Sequence, residues 1–332
     1  MLQVEPLSRL SRSPYEATRM LEVSKVRKRP KGWFEIGLAC VESSVFGRTE
    51  HCPTSEWYPD SVVCRDSFLD GGGHGWRISI LKGPKPRPAA WKIVVVTGTP
   101  SWSEYWAPVI AALPEDREMV VVDRPGFANS EPFDHVPDIQ VQAQALAPLL
   151  QTAPGQKLML VGQSYGAAIA TLMARSQPKA VASLVLLSGF FGEPGPTARW
   201  LLDMGARTLK VIPRDLRNAV LEASNQASQL PIVWDALAKL KTPVHVVHGD
   251  KDDFAPLETA ERLLTQVRGK LPLRIERVPG GDHFLNDAVD TVMASLEACL
   301  PLKREPWLHW PAPPAIKWPK LKLGAPARLA GA

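Results

Sequence analysis

Short apolar runs that alternate with helix-like segments constrain the fold of this 332-residue chain more than any other feature. The runs are rich in Val, Ile and Leu, and several are apolar on both faces, which is typical of strands buried in a parallel sheet. The strand-like runs lie at 76–81, 92–97, 118–123, 157–161, 182–187, 243–248 and 273–278. The helix-like segments lie at 102–112, 138–151, 166–176, 257–268 and 285–300. This alternation predicts an α/β fold with a mostly parallel central sheet and helices on both faces.

The interval from about 190 to 240 departs from the alternation. It contains no strand-like run, and its pattern is helical with interspersed Pro and Arg. We therefore expect a helical insertion that lies on top of the sheet.

The two ends of the chain differ from its centre in composition. Residues 1–75 mix charges of both signs and end in a glycine-rich stretch, which predicts a poorly defined or flexible leader. Residues 301–332 contain seven prolines and three tryptophans, a density that forbids helix and central strand. The sequence thus predicts three parts: a leader at 1–75, a folded domain at 76–300 and a Pro/Trp-rich basic tail at 301–332.

The formal net charge of +5 is located in the tail, which has six basic residues and one acid. The basic balance therefore gives no indication of a nucleic-acid partner.

There is no apolar run of 18 or more residues, and the N-terminus lacks the apolar stretch of a secretory signal, so we expect no transmembrane segment. Four cysteines without a CxxC pair indicate free thiols and no metal site. A reducing compartment, and hence the cytoplasm, is the expected location.

The pentapeptide at 162–166 (GQSYG) is the segment that most strongly indicates a catalytic residue. It follows an apolar strand-like run and precedes a helix-like segment, so the chain must turn sharply at Ser164. Such a turn, flanked by Gly162 and Gly166, places the serine hydroxyl at the carboxyl edge of the sheet. Ser164 is therefore the candidate nucleophile.

A nucleophilic serine requires a histidine base that is oriented by a carboxylate. His283 lies in a loop just past the last strand-like run, at the same edge of the sheet. His245 and His248 are interpreted instead as packed strand residues. Three aspartates follow the preceding strand, so the carboxylate is Asp250, Asp252 or Asp253 on this reasoning.

The order Ser…Asp…His on the strand ends is that of the α/β-hydrolases. Residues 76–300 resemble this superfamily, in its esterase-like branch with a serine nucleophile and a lid. The segment 248–256 (HGDKDDFAP) resembles the family's acid loop and implies Asp252 as the acid, with Asp253 as runner-up. The segment 280–284 (GGDHF) resembles its histidine loop. The segment 123–130 (DRPGFANS) resembles the family's D-x-P-G-x-G-x-S, except that Ala128 replaces the second glycine.

The resemblance also implies an oxyanion hole and a substrate pocket. The two N–H donors would be the backbone amides of Tyr165 and Thr99, although the segment 97–100 (TGTP) has Thr where relatives commonly have His. The insertion at 190–240 resembles the family's lid. The aromatic side chains expected to line the pocket are Trp102, Phe190, Phe191 and Trp200.

The function implied is that of a serine hydrolase with acyl-enzyme chemistry, of the carboxylesterase type (EC 3.1-like), acting on small or medium apolar esters. The partner would be a small-molecule substrate, and neither a metal nor an organic cofactor is implied. No oligomeric state is predicted. Two alternatives are a lyase or acyltransferase that uses the same residues, and a non-catalytic binding protein that uses its Pro/Trp-rich tail.

Overall fold

An eight-stranded sheet forms the centre of the computed structural model, which describes residues 58, 61–83, 89–267, 272–285 and 289–300. The strands are β1 (Cys64–Leu69), β2 (Arg77–Lys82), β3 (Trp91–Val96), β4 (Arg117–Val122), β5 (Lys157–Gln163), β6 (Val181–Leu187), β7 (Val244–Gly249) and β8 (Leu273–Val278). Their spatial order is β1-β2-β4-β3-β5-β6-β7-β8. The first two pairings are antiparallel, and all others are parallel. The predicted α/β fold with a mostly parallel sheet is confirmed.

Helices cover both faces of this sheet. They are α1 (Ala107–Ala111), α2 (Ile139–Ala145), α3 (Gly166–Ser176), α4 (Pro196–Thr208), α5 (Arg214–Ala238), α6 (Leu257–Thr265) and α7 (Val289–Ala298). Successive side chains of β3 point to opposite faces, so Val94 and Val96 join the core under α2, α3 and α6. Ile93 and Val95 join the core under α1 and α7. Among the described residues, no helix has the length and apolarity needed to cross a membrane.

The edge strand β1 lies in the range 1–75, where the sequence predicts no strand. It pairs with β2 from Cys64 opposite Lys82 to Leu69 opposite Arg77. All of its residues are partly or fully exposed, so it needs no apolar pattern, and the periodicity used to find buried strands does not detect it. Residues 1–57 and 301–332 lie outside the described part of the chain, and the three-part division stays a prediction.

The interval between β6 and β7 is helical, as expected for the insertion. It consists of α4 and α5, and α4 has no fully buried residue. The carboxyl ends of β3, β5, β7 and β8 lead into the loops that contain the candidate residues Thr99, Ser164, Asp252 and His283. The sheet thus brings residues that are distant in sequence to one edge.

Candidate active site

Ser164 lies in the sharp turn between β5 and α3. Its backbone has a φ of 49°, in the left-handed region that non-glycine residues seldom adopt. A Cβ at Gly166 would lie 2.2 Å from the carbonyl oxygen of Val96, and one at Gly162 would lie 2.6 Å from the Cα of Ala167. The turn is therefore tight enough to require glycine at both flanking positions, and it points the serine toward the loop that follows β3.

His283 bridges Ser164 and a carboxylate. Its Nε2 lies 2.9 Å from Oγ of Ser164, and its Nδ1 lies 2.8 Å from Oδ2 of Asp252. Because a carboxylate oxygen only accepts, Nδ1–H donates to Asp252, which leaves Nε2 free to accept from the serine hydroxyl. The histidine is buried, and its ring stacks on Phe254 with centroids 5.2 Å apart. This geometry can move the hydroxyl proton of Ser164 to an imidazole.

The geometry selects one of the three aspartates. Oδ1 of Asp252 accepts from the backbone N–H groups of Phe254 (3.0 Å) and Ala255 (2.8 Å), which aims Oδ2 at His283. Asp250 instead accepts from the N–H of Gly280 at 2.6 Å. Asp253 accepts from the hydroxyl of Thr197 on α4. Of the three, Asp252 is the one that contacts His283.

Asp252 is an anion held by hydrogen bonds. Its burial raises the pKa of the carboxyl, but hydrogen bonds from His248, from His283 and from the N–H of Ala255 outweigh burial. The pKa of Asp252 consequently lies below its ordinary value of 3.8. The carboxylate is thus ionised at neutral pH and can stabilise a protonated His283.

His248 is a second histidine on the same carboxylate. It is fully buried in β7, as expected for a packed strand residue. Its Nε2 also lies 2.7 Å from the carbonyl oxygen of Ala255 and 3.1 Å from Oδ2 of Asp252. Both neighbours are acceptors, so Nε2 bears the proton. The sequence signal that could have identified this contact is the place of His248 at the end of a strand, four residues before Asp252.

The loop after β3 approaches Ser164 closely. A Cβ at Gly98 would lie 2.9 Å from Cβ of Ser164 and 3.5 Å from its Oγ. Thr99 lines the same cavity as Ser164, and Tyr165 follows the serine with a fully buried ring. Two charged residues for which the sequence predicts no individual role, Arg124 and Glu222, lie buried behind this loop.

A cavity of about 400 Å³ opens beside Ser164 and His283. It lies between the loop after β3 and the helices of the insertion, and apolar side chains form most of its wall. Those from α4, from α5 and from the segment between the two helices are Ala198, Leu201, Leu202, Met204, Ile212, Leu216, Ala219, Val220 and Ala223. No Asp, Glu, Lys or Arg of the described residues lines it.

Two of the four predicted pocket aromatics line the cavity, namely Trp102 and Phe190. Trp102 is held there by a 2.7 Å hydrogen bond from its Nε1 to Asp215. The expectation for Phe191 and Trp200 is wrong. Phe191 is buried in the core against Trp234, with ring centroids 5.5 Å apart. Trp200 is 51% exposed, because it occupies the outer face of α4.

Comparisons with known proteins identify the fold family of the chain. Residues 93–229 match a family model described as the alpha/beta hydrolase fold. The putative carbamate hydrolase RutD of Klebsiella pneumoniae (strain 342) is 32% identical over 67% of this chain and 97% of its own length. A 2-hydroxy-6-oxononadienedioate/2-hydroxy-6-oxononatrienedioate hydrolase of Burkholderia vietnamiensis is 24% identical over 62% of this chain and 81% of its own. The structure of a thermophilic esterase from Thermogutta terrifontis matches 71% of this chain and 99% of its own, with a TM-score of 0.56 and 18% identity.

Proposed function

The chain belongs to the α/β-hydrolase superfamily, and on that premise we propose that it is a serine hydrolase of the carboxylesterase type. One observation carries the proposal: the unbroken hydrogen-bonded series from Ser164 Oγ through both nitrogens of His283 to Asp252, at 2.9 and 2.8 Å. A serine hydroxyl is a weak nucleophile at neutral pH unless such a base removes its proton.

In the proposed reaction Oγ of Ser164 attacks the carbonyl carbon of an ester while Nε2 of His283 takes the hydroxyl proton. The backbone N–H groups of Thr99 and Tyr165 bind the negative oxygen of the tetrahedral intermediate. His283 then gives its proton to the departing alcohol, which leaves an acyl group on Ser164. A water molecule, deprotonated by the same nitrogen, releases the acid and restores the serine. Asp252 stabilises the imidazolium in both halves of the reaction.

The cavity supports an uncharged, apolar acyl or alcohol group as the substrate. Its volume of about 400 Å³ lies within the range of small-molecule sites, and its wall is mostly aliphatic. A dioate carries two carboxylates, and burying a carboxylate without a partner is costly. Among the described lining residues there is no Lys or Arg that could neutralise such a charge. We therefore favour a small or medium ester over a dianion.

Hydrolysis of a carbamate is the second candidate. A match over 97% of the length of a putative carbamate hydrolase, at 32% identity, favours it. The same residues would act, since a carbamate also passes through a tetrahedral intermediate at a carbonyl carbon. A lyase or acyltransferase on the same residues stays a further alternative.

A fluorescent fluorophosphonate, which labels activated serines, tests the proposal. We expect the native chain to be labelled, and the Ser164→Ala and His283→Ala variants to remain unlabelled. Ser188→Ala is the matched control, because Ser188 is also buried with a φ of 45° at the end of a neighbouring strand. It should be labelled like the native chain.

A folded native chain that resists labelling would refute the serine hydrolase. If labelling succeeds, matched esters and carbamates of 4-nitrophenol decide between the two candidates. We expect a neutral butyrate ester to exceed the corresponding hemisuccinate in kcat/KM by about 100-fold or more, because the free carboxylate of the hemisuccinate would be buried without a cation. Faster turnover of the carbamate than of the ester would favour the second candidate.

A further inference from the structure

A buried ion pair lies directly behind the loop that follows β3. Nη1 and Nη2 of Arg124 donate to the two carboxylate oxygens of Glu222 at 2.9 and 2.8 Å. Both side chains are fully buried. Arg124 follows β4 in the core, whereas Glu222 lies in the insertion helix α5. The pair thus joins the insertion to the sheet domain in a bidentate geometry with fixed orientation.

The same two side chains hold three successive residues of the loop. Arg124 donates from Nε to the carbonyl oxygen of Thr97 at 2.9 Å, and from Nη2 to that of Gly98 at 2.7 Å. The hydroxyl of Thr99 donates to Oε2 of Glu222 at 3.0 Å. These contacts include a side-chain hydrogen bond between residues 123 positions apart in the chain.

The contact to Gly98 has a consequence for the N–H of Thr99. The carbonyl of Gly98 and the N–H of Thr99 belong to one peptide unit, which is planar, and it is not one of the two cis bonds of the described chain. The two groups therefore point in opposite directions. When Arg124 fixes the carbonyl, the N–H is aimed away from Arg124. A cation at the carbonyl oxygen also polarises the peptide and strengthens the N–H as a donor.

Arg124 contacts the other proposed donor residue as well. Its guanidinium carbon lies 4.9 Å from the ring centroid of Tyr165, the residue directly after Ser164. The same carbon also lies 4.9 Å from the ring centroid of Phe127. One buried cation is thus packed against both segments that would form the oxyanion hole.

We infer that Arg124 and Glu222 are positioning residues for the oxyanion hole, so that the insertion helix contributes to the chemical step as well as to the cavity wall. The inference rests on the proposed function. Glu222 offsets the charge of Arg124 and holds Thr99, while Arg124 orients the peptide that contains the Thr99 N–H. Neither side chain lines the cavity, so neither should affect ground-state binding directly.

The test compares Glu222→Gln and Thr99→Val with the native chain in kcat and KM for a 4-nitrophenyl butyrate. Glu222→Gln keeps the shape but removes the charge, and Thr99→Val removes the bond to Glu222 while leaving the backbone N–H and the ion pair. We expect Glu222→Gln to lower kcat by about 10- to 100-fold and Thr99→Val by about 3- to 10-fold. The KM of Glu222→Gln should stay within about threefold, the signature of an interaction made in the transition state.

Asn218→Leu is the matched control. Asn218 lies one turn earlier on α5, is fully buried and donates to the carbonyl oxygens of Gly126 and Phe133, outside the site. The variant therefore tests whether a weaker attachment of α5 is by itself sufficient to lower kcat. Circular dichroism and thermal unfolding identify any variant that fails to fold, and Thr99→Val remains as the milder probe.

Labelling of Ser164 by the fluorophosphonate distinguishes failure of the proposed function from failure of the inference alone. If the native chain shows no labelling that depends on Ser164, the proposed function fails and the inference fails with it. If the native chain is labelled, and the folded Glu222→Gln and Thr99→Val variants keep the kcat of Asn218→Leu, the inference alone is overturned. A loss that appears only in the KM of Glu222→Gln would also overturn it.

Discussion

Adding one methyl group at Gly98 should lower the catalytic rate by more than its effect on stability explains. A Cβ at this position would lie 2.9 Å from Cβ of Ser164, whereas ordinary contact begins at 3.4 Å. The loop or the serine must therefore move, by about 0.5 Å if ordinary contact is to be restored. A misplacement of about 1 Å costs about 100-fold in rate, so Gly98→Ala should lower kcat/KM by about 10- to 100-fold. That loss corresponds to about 1.4 to 2.7 kcal/mol of transition-state stabilisation.

The assay is kcat/KM for a neutral short-chain ester, measured alongside thermal unfolding. Gly83→Ala provides a control of equal severity, because a Cβ there would lie 2.9 Å from Cγ2 of Ile110, remote from the site. We expect Gly83→Ala to change Tm about as much as Gly98→Ala does, with kcat/KM within about twofold of the native chain. If Gly98→Ala retained native kcat/KM, the loop would not have to lie close to Ser164 for activity, and the proposed oxyanion hole there would be refuted.

Three further predictions concern other parts of the site. Because the pKa of Asp252 lies below its ordinary 3.8, its charge stabilises the fold above about pH 4, and this contribution is lost as the pH falls through the folded-state pKa. Asp252→Asn should accordingly show a shallower fall of Tm between about pH 4 and pH 2 than the native chain does. Gly166→Ala would place a Cβ 2.2 Å from the backbone oxygen of Val96, so urea denaturation should show a loss of about 1–3 kcal/mol in the free energy of unfolding. Trp200→Ala should leave KM within about twofold because Trp200 lies outside the cavity, whereas Trp102→Ala should change KM at least threefold.

Strands with core on both faces can be predicted from the sequence because their burial leaves a trace in the composition. Val94, Val95 and Val96 are all completely buried, since β3 has core on both faces. A run of this kind has no polar positions to interrupt it. The edge strand β1 has no such trace, because its residues are partly exposed and its ion pair between Asp66 and Lys82 is a surface contact.

Residues of the candidate site could be predicted from the sequence only where the course of the backbone determines their position. Ser164, Asp252 and His283 follow strand ends of one sheet, and parallel strands bring their carboxyl ends together. The choice among Asp250, Asp252 and Asp253 depends on a turn in which two N–H groups hold one oxygen and leave the other for His283. Sequence spacing alone does not specify that turn.

The insertion helix α5 shows why the residues around the site were harder to predict. Asp215, Asn218, Glu222 and Gln226 recur at a spacing of three or four residues, the pattern of one helix face. A polar helix face usually lies in contact with solvent, yet all four of these side chains are buried. Each one donates to or accepts from the core, and the partners include the Trp102 indole, the carbonyl oxygens of Gly126 and Phe190, the Arg124 guanidinium and the Thr99 hydroxyl.

Burying a polar side chain is unfavourable unless its hydrogen bonds are made, and hydrogen bonds have a direction that apolar contacts lack. A helix attached through such a stripe therefore has a defined position along its axis and a defined rotation about it. Its partners include loops that lead out of β3 and β4, so α5 and these loops constrain one another. The adjacent stripe of the same helix, with Leu216, Ala219, Val220 and Ala223, forms part of the cavity wall. The position of α5 that shapes the cavity is thus also the position that holds the loop beside Ser164.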